Sequence, residues 1–332
     1  RVRAPHRRRA MSPNDFVRRF ESDWQAIEDL ATQALARPRA KLTGAADFPA
    51  RFRQLCQQLA LARTRQYPPQ IVLRLNRLAL FAHQALYGAR SGPWSEIKSF
   101  ALTDFPRLVR RHAGLFWVAT CLLYLPALAM SAVVWAQPEL IYSLMDPAQV
   151  VDLEAMYEPG RAHIGFKRAS DTNVMMFGHY IQNNLSIGFQ TFAGGLILGL
   201  GSIAALGFNG LYLGAVATHL TRVGYAEPFF QFVAGHSAFE LTAIAESGMA
   251  GLLLGRALLA PGPRTRREAL VTTARVAVRI VYGAAAMLLI AAFIEAFWSS
   301  TTAVPPVAKY LTGVALWLFV GAYFLFMGRR AH

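Results

Sequence analysis

The sequence predicts an all-α protein: a polytopic membrane helix bundle of about six spans behind an N-terminal cytosolic helical domain. Three observations predict it. Residues 114–136 and 172–221 contain no Asp, Glu, Lys or Arg. Only 16% of the 332 residues are charged, against about a quarter in a soluble domain, so charge has been withdrawn locally. Finally, the apolar residues that lie among the early basic ones recur at helical spacing.

The N-terminal domain is placed over residues 11–112. Residues 1–10 read as a basic leader upstream of a natural start at Met11. No cleavable signal peptide is visible, because the Arg-rich beginning is followed by no apolar stretch. Ser12 is placed to cap a helix that opens at Pro13, with Asp15 completing a capping-box variant. Phe16, Phe20, Trp24, Ile27, Ala31 and Ala34 form its apolar face. A break over Pro38–Gly44 leads to a second helix, with Phe52, Leu55, Leu59 and Ala62 on one side. Pro68-Pro69 opens a third, carrying Ile71, Leu75, Leu78 and Ala82 and ending near Gly88. Short connections imply an antiparallel bundle. Residues 93–112 mix Trp94, Ile97, Phe100, Phe105 and Leu108 with Lys98, Arg107, Arg110 and Arg111. That mixture suits an interfacial helix or one more bundle helix, and composition leaves both open.

The transmembrane domain is placed over 113–330, with spans at about 114–136, 181–204, 207–222, 229–256, 274–297 and 308–327. Fifty uncharged residues at 172–221 would make a helix of about 75 Å, so they cross twice. The charge pattern agrees. Arg256, Arg264, Arg266, Arg267, Arg275 and Arg279 surround the loop at 257–273, and Arg329-Arg330 lie near the end. Two crossings put all basic regions on one face and the acidic stretch at 137–158 on the other. The chain is therefore expected in the bacterial inner membrane with both termini cytosolic. The segment 207–222 is short enough to be tilted or re-entrant. Gly195-x-x-x-Gly199, Gly210-x-x-x-Gly214 and Gly251-x-x-x-Gly255 place small residues one turn apart for close helix packing.

The formal net charge of +15 would suggest nucleic acid in a soluble protein. Here the positive-inside bias and anionic lipid account for it, and nucleic acid is not expected as a partner. Cys56 and Cys121 fit no disulfide framework or zinc spacing, and no cofactor or metal is expected from the motifs. No phosphate-cradling glycine loop is present either.

The fourth span carries the unusual chemistry. His236, Glu240 and Glu246 interrupt an apolar segment, at a cost of several kcal/mol each unless paired, protonated or hydrated. His236 and Glu240 lie one turn and about 40° apart, close enough to share a proton, water or cation. Glu246 lies about 15 Å along the axis from His236 and requires a partner from another helix. Asn183, Asn184, Asn209 and His179 are the candidates, with Glu295 a further member or an interfacial residue. Three readings compete: a structural polar network, a hydrated pathway for a proton, ion or small solute, and an intramembrane metal-dependent hydrolase. The last needs three protein ligands and a base, whereas His-x-x-x-Glu supplies two ligands.

The run Asn183-Asn184…Gly188-Phe189-x-x-Phe192-Ala193-x-Gly195, then Phe208-Asn209-Gly210-x-x-Leu213-Gly214, then Gly235-His236-x-x-x-Glu240-Leu241-x-Ala243-Ile244 resembles the stage II sporulation protein M family. So does Gly251-Leu252-x-x-Gly255…Pro261-Gly262…Arg267-x-Ala269-Leu270. The resemblance covers most of 11–330, and the leading domain looks like that of longer members outside spore formers. In spore formers the family anchors cell-wall hydrolases in the machinery that remodels peptidoglycan during engulfment. The resemblance implies a membrane scaffold or assembly factor linked to envelope remodelling, and it assigns no catalytic role. Asn183, Asn184, Asn209, Gly210, His236 and Glu240 are the matching motif residues. The expectation is a non-enzymatic, homo-oligomeric protein that engages the lipid bilayer, membrane or envelope proteins and a cytosolic partner of residues 11–112. A transporter or channel built on the polar core is the alternative.

Overall fold

The computed structural model describes residues 11–36, 47–87, 93–160, 164–165 and 173–329. The expected break over Pro38–Gly44 and the helix end at Gly88 lie outside them. All regular elements among the described residues are helical. The chain divides after Glu96 into two compact units.

The first unit holds α1 (Pro13–Ala36), α2 (Phe48–Thr64) and α3 (Pro69–Tyr87). The Ser12 hydroxyl accepts from the Asp15 backbone N–H at 3.2 Å and donates to the Asp15 carboxylate at 2.7 Å, closing the first turn. Phe16, Trp24, Ile27, Leu55, Ala62, Leu75 and Ala82 form a closed core. Inside it, Trp24 Nε1 donates to Gln58 Oε1 at 2.6 Å.

The second unit begins inside α4 (Pro93–Ser99). A π-helical turn (Phe100–Asp104) and α5 (Phe105–Arg111) follow. The sequence groups 93–112 with the leading domain, whereas residues from Ile97 onward pack with the second unit. Phe105 and Val109 are buried in its core, and the Phe105 ring lies over Gly283. The rest comprises α6 (Ala113–Ala136), α7 (Pro147–Tyr157), α8 (Asn173–Ala193), α9 (Leu200–Arg222), α10 (Ala226–Ala234), α11 (Ser237–Leu259), α12 (Arg266–Ile294) and α13 (Pro306–Phe326). A short 3-10 turn (Pro138–Ser143) precedes α7.

Among the described residues, five helices are long and apolar enough to cross a membrane: α6, α9, α11, α12 with its π-helical extension to Ser299, and α13. α8 is not among them, because His179, Gln182, Asn183, Asn184 and Gln190 dilute its apolar content. Its 21 residues nevertheless extend about 32 Å.

Two expected boundaries shift. The division expected at 205–206 lies at 194–199, where a 3-10 turn (Gly194–Leu196) and positive φ at Leu198 (53°) and Gly199 (84°) reverse the chain. Gly194 and Gly201 then touch back to back, and Ser202 Oγ donates to the Thr191 carbonyl at 2.6 Å. The segment 207–222 thereby becomes part of a full-length helix, α9. Uniform hydropathy hid the turn, since every residue around it is apolar or small. The span expected at 229–256 is also interrupted. The backbone leaves regular helix at Gly235-His236, so α10 and α11 are separate and His236 caps α11.

The helix ends sort into two layers. One end collects α5, the α8–α9 turn, the C-terminus of α11 and that of α13. Gly199 meets Gly255 there, Arg279 pairs with Asp104 at 2.7 Å, and Arg110 donates to the Phe324 and Met327 carbonyls at 2.6 Å each. The other end collects α7, α10, the C-termini of α6, α9 and α12, and the start of α13. His219 Nε2 lies 2.7 Å from Glu154 Oε1, and Arg222 donates to the Trp135 carbonyl at 2.6 Å. α11, the most enclosed of the apolar helices, forms the centre, while α6 and α13 present most of their surface outward.

Candidate functional site

The glycine motifs determine how closely the helices approach the central one. Gly195 rests on the main chain of Gly251, and Gly199 on that of Gly255, so two of the three predicted motifs mate with each other. The third packs Gly210 and Gly214 onto the Leu123 and Ala127 carbonyls of α6. In all four contacts small residues let backbones touch.

Polar residues gather where α8, α11, the π-helical turn Glu295–Ser299 and the start of α13 converge, beneath α10. His236 is 4% exposed; its Nδ1 lies 3.0 Å from Ser299 Oγ and its Nε2 3.5 Å from Glu240 Oε2. The second distance is too long for a good hydrogen bond, so imidazole and carboxylate face each other across a gap. Glu295 adds a second carboxylate: ligand atoms from His236, Glu240 and Glu295 all lie within 4.8 Å of one another. Glu295 Oε2 accepts from Asn184 Nδ2 at 3.3 Å, and Asn184 Oδ1 accepts from Asn183 Nδ2 at 3.0 Å. The Phe232 ring covers His236 edge-on, with centroids 5.2 Å apart.

Of the seven candidate core residues, among which Asn183 and Asn184 are expected from sequence to serve Glu246, the structure places His236, Glu240, Asn183 and Asn184 in one cluster. It leaves the other three outside it. Asn209 bonds to the Ala205 carbonyl of its own helix at 2.8 Å. His179 is exposed, with its ring against Tyr180. Glu246 is fully buried, yet neither carboxylate oxygen has a hydrogen-bond partner among the described residues. The partner expected from another helix is not supplied, because Asn183 and Asn184 turn toward Glu295.

Three contributors were missed or only half seen. Glu295 stood open between membership and a simple interfacial position. Ser299 gives no signal of its own in sequence. Lys309 does: a lysine in the first turn of a predicted span is an ionisable group in an apolar setting. It is fully buried, and its Nζ donates to the Ser299 and Thr301 carbonyls at 2.9 and 2.6 Å. Lys309 thereby fixes the loop that carries Ser299 against His236.

Apolar helices mated through glycine around a buried polar centre define a polytopic helical membrane protein. Its family follows from comparison: the family model described as Stage II sporulation protein M matches residues 113–300. The chain belongs to that family. Residues 14–88 match a second model, Domain of unknown function (DUF8413). No curated protein and no solved structure matches the chain significantly.

Proposed function

We propose that this protein is a non-enzymatic scaffold or assembly factor of the bacterial inner membrane, linked to envelope or peptidoglycan remodelling. The observation that carries the reading is how its polar core is used. Asn183, Asn184 and Glu295 join α8 to the end of α12; Ser299 and His236 join that end to α11; Lys309 joins α13 to the same loop. Groups that cross-link four helices make a rigid platform.

The layers support one orientation. α8 is long enough to be a sixth crossing, and six crossings place Arg107, Arg110, Arg256, Arg264, Arg266 and Arg267 at one end, which becomes the cytosolic face. Both ends of the chain then face the cytosol. The first unit would meet a cytosolic partner, while α7 and α10 would meet envelope proteins. Assembly as a homo-oligomer in the lipid bilayer, without nucleic acid, completes the reading. The exposed apolar faces of α6 and α13 supply surface for lipid or for a second copy.

A transport reading is favoured by one observation, the unpartnered carboxylate of Glu246 deep in the bundle. Proteoliposomes separate the two. A scaffold shows no proton or cation flux above protein-free vesicles, and envelope-growth phenotypes of a deletion strain are restored by Glu240→Gln and Glu246→Gln in proportion to folded protein. A flux abolished by either substitution with folding intact rejects the scaffold.

A further inference from the structure

We propose that His236, Glu240 and Glu295 form a binding site for one divalent transition-metal ion, with zinc the best match. Four features of the cluster converge on a cation.

The donor set is one imidazole and two carboxylates, a mixture that suits zinc and its first-row neighbours. It is too small and too nitrogenous for calcium, which takes six to eight oxygens.

Spacing is the second feature. Two ligands about 2.0–2.1 Å from a tetrahedral zinc stand roughly 3.4 Å apart. His236 Nε2 and Glu240 Oε2 stand 3.5 Å apart, and the Glu295 oxygen completes a triangle whose sides do not exceed 4.8 Å.

Third, two of the donors are held from outside the triangle. Ser299 Oγ occupies the Nδ1 side of His236, which directs Nε2 toward the carboxylates, and Asn184 anchors Glu295 through Oε2. Oriented ligands with a hydrogen-bonded far side are the usual construction of protein metal sites.

Fourth, ionising both carboxylates calls for a cation between them. Two carboxylates stand side by side in a largely buried position, and the ammonium of Lys309 is committed to two carbonyls. A dication beside neutral imidazole brings the triad to zero. Glu240 keeps 20% of its side chain exposed, which gives an ion its access, and a water would be the fourth ligand. The ion would tie α11 to the end of α12 beneath α10.

The test uses the intact full-length chain in detergent, stripped with chelator and reloaded with zinc or cobalt. Metal analysis should return one ion per chain. Cobalt-loaded protein should show the visible bands of a four- or five-coordinate site, and X-ray absorption of the zinc form should give N/O ligands at about 2.0 Å with imidazole scattering. Glu295→Gln and His236→Asn should abolish stoichiometric binding, and Ser299→Ala should weaken it tenfold or more. No saturable binding by the wild-type chain overturns the site. So does stoichiometric metal retained in Glu295→Gln and His236→Asn, or an all-oxygen six-coordinate spectrum. The two spectroscopic readouts decide the matter on wild-type protein if the variants do not fold.

Discussion

Gly195 rests directly on the Gly251 main chain, so that a methyl group on Gly195 would overlap that backbone, and one on Gly251 would overlap Ser202 Oγ and crowd the Thr191 and Phe192 carbonyls. This contact seats the α8–α9 turn on the central helix, and its neighbour pair Gly199–Gly255 continues it one turn on. The polar cluster farther along α8 and α11 depends on that register.

Gly251→Val should therefore destabilise the membrane unit more than an ordinary small-to-large change. Overpacking costs about 1–3 kcal/mol where side chains can move aside, but backbone cannot. A lowered melting temperature of the detergent-solubilised protein checks this. Gly321→Val, where a side chain would meet nothing, should leave the melting temperature unchanged.

The end of α13 is held by α5. Arg110 donates to the Phe324 and Met327 carbonyls, and Arg107 Nε donates to the Gly328 carbonyl at 2.5 Å. These groups are among the carbonyls that a helix end leaves unsatisfied. Arg110→Gln should fray the last turn of α13 and cost about 1.5–3 kcal/mol. Faster hydrogen exchange at 324–329, with the rest of α13 protected, is the expected result.

In the first unit, Gln58→Leu should cost about 1–3 kcal/mol by leaving the buried Trp24 N–H without an acceptor. Trp24→Phe in the same background should recover part of that loss, because it removes the orphaned donor. Hydrogen exchange of α1 and α2 in the intact protein measures both.

The first unit should also lose stability in acid. The Arg74 guanidinium holds the Glu21 carboxyl below the usual carboxylate range, with bonds at 2.5 and 2.9 Å. The folded value lies below the unfolded one, so the contribution is present above the unfolded value and fades as pH falls through the folded one. The pair is partly exposed, and the effect should stay under about 1 kcal/mol. Arg74→Leu should flatten this acid limb in pH-dependent exchange of α1 and α3; an unchanged limb would assign it to other carboxylates.

Glu246→Met should stabilise the bundle by about 1–3 kcal/mol, since it removes a fully buried carboxyl without a partner and keeps the volume. A large loss of stability would instead reveal a hidden partner for that carboxyl.

Much of this protein was legible in order of residues alone. Charge-free runs announced a membrane bundle, Ser12-Pro13 and the apolar stripe of α1 announced the first helix, and helical spacing put His236 and Glu240 one turn apart. Each is local: hydropathy, caps and one-turn neighbours depend on residues a few positions apart. The turn at 194–199, the seating of Gly195 on Gly251 and the arrival of Glu295, Ser299 and Lys309 beside His236 were decided by the tertiary structure. Uniformly apolar sequence carries no period that marks where a helix reverses. Which distant side chains converge is settled by how close the backbones come, and here glycine-to-glycine packing sets that distance.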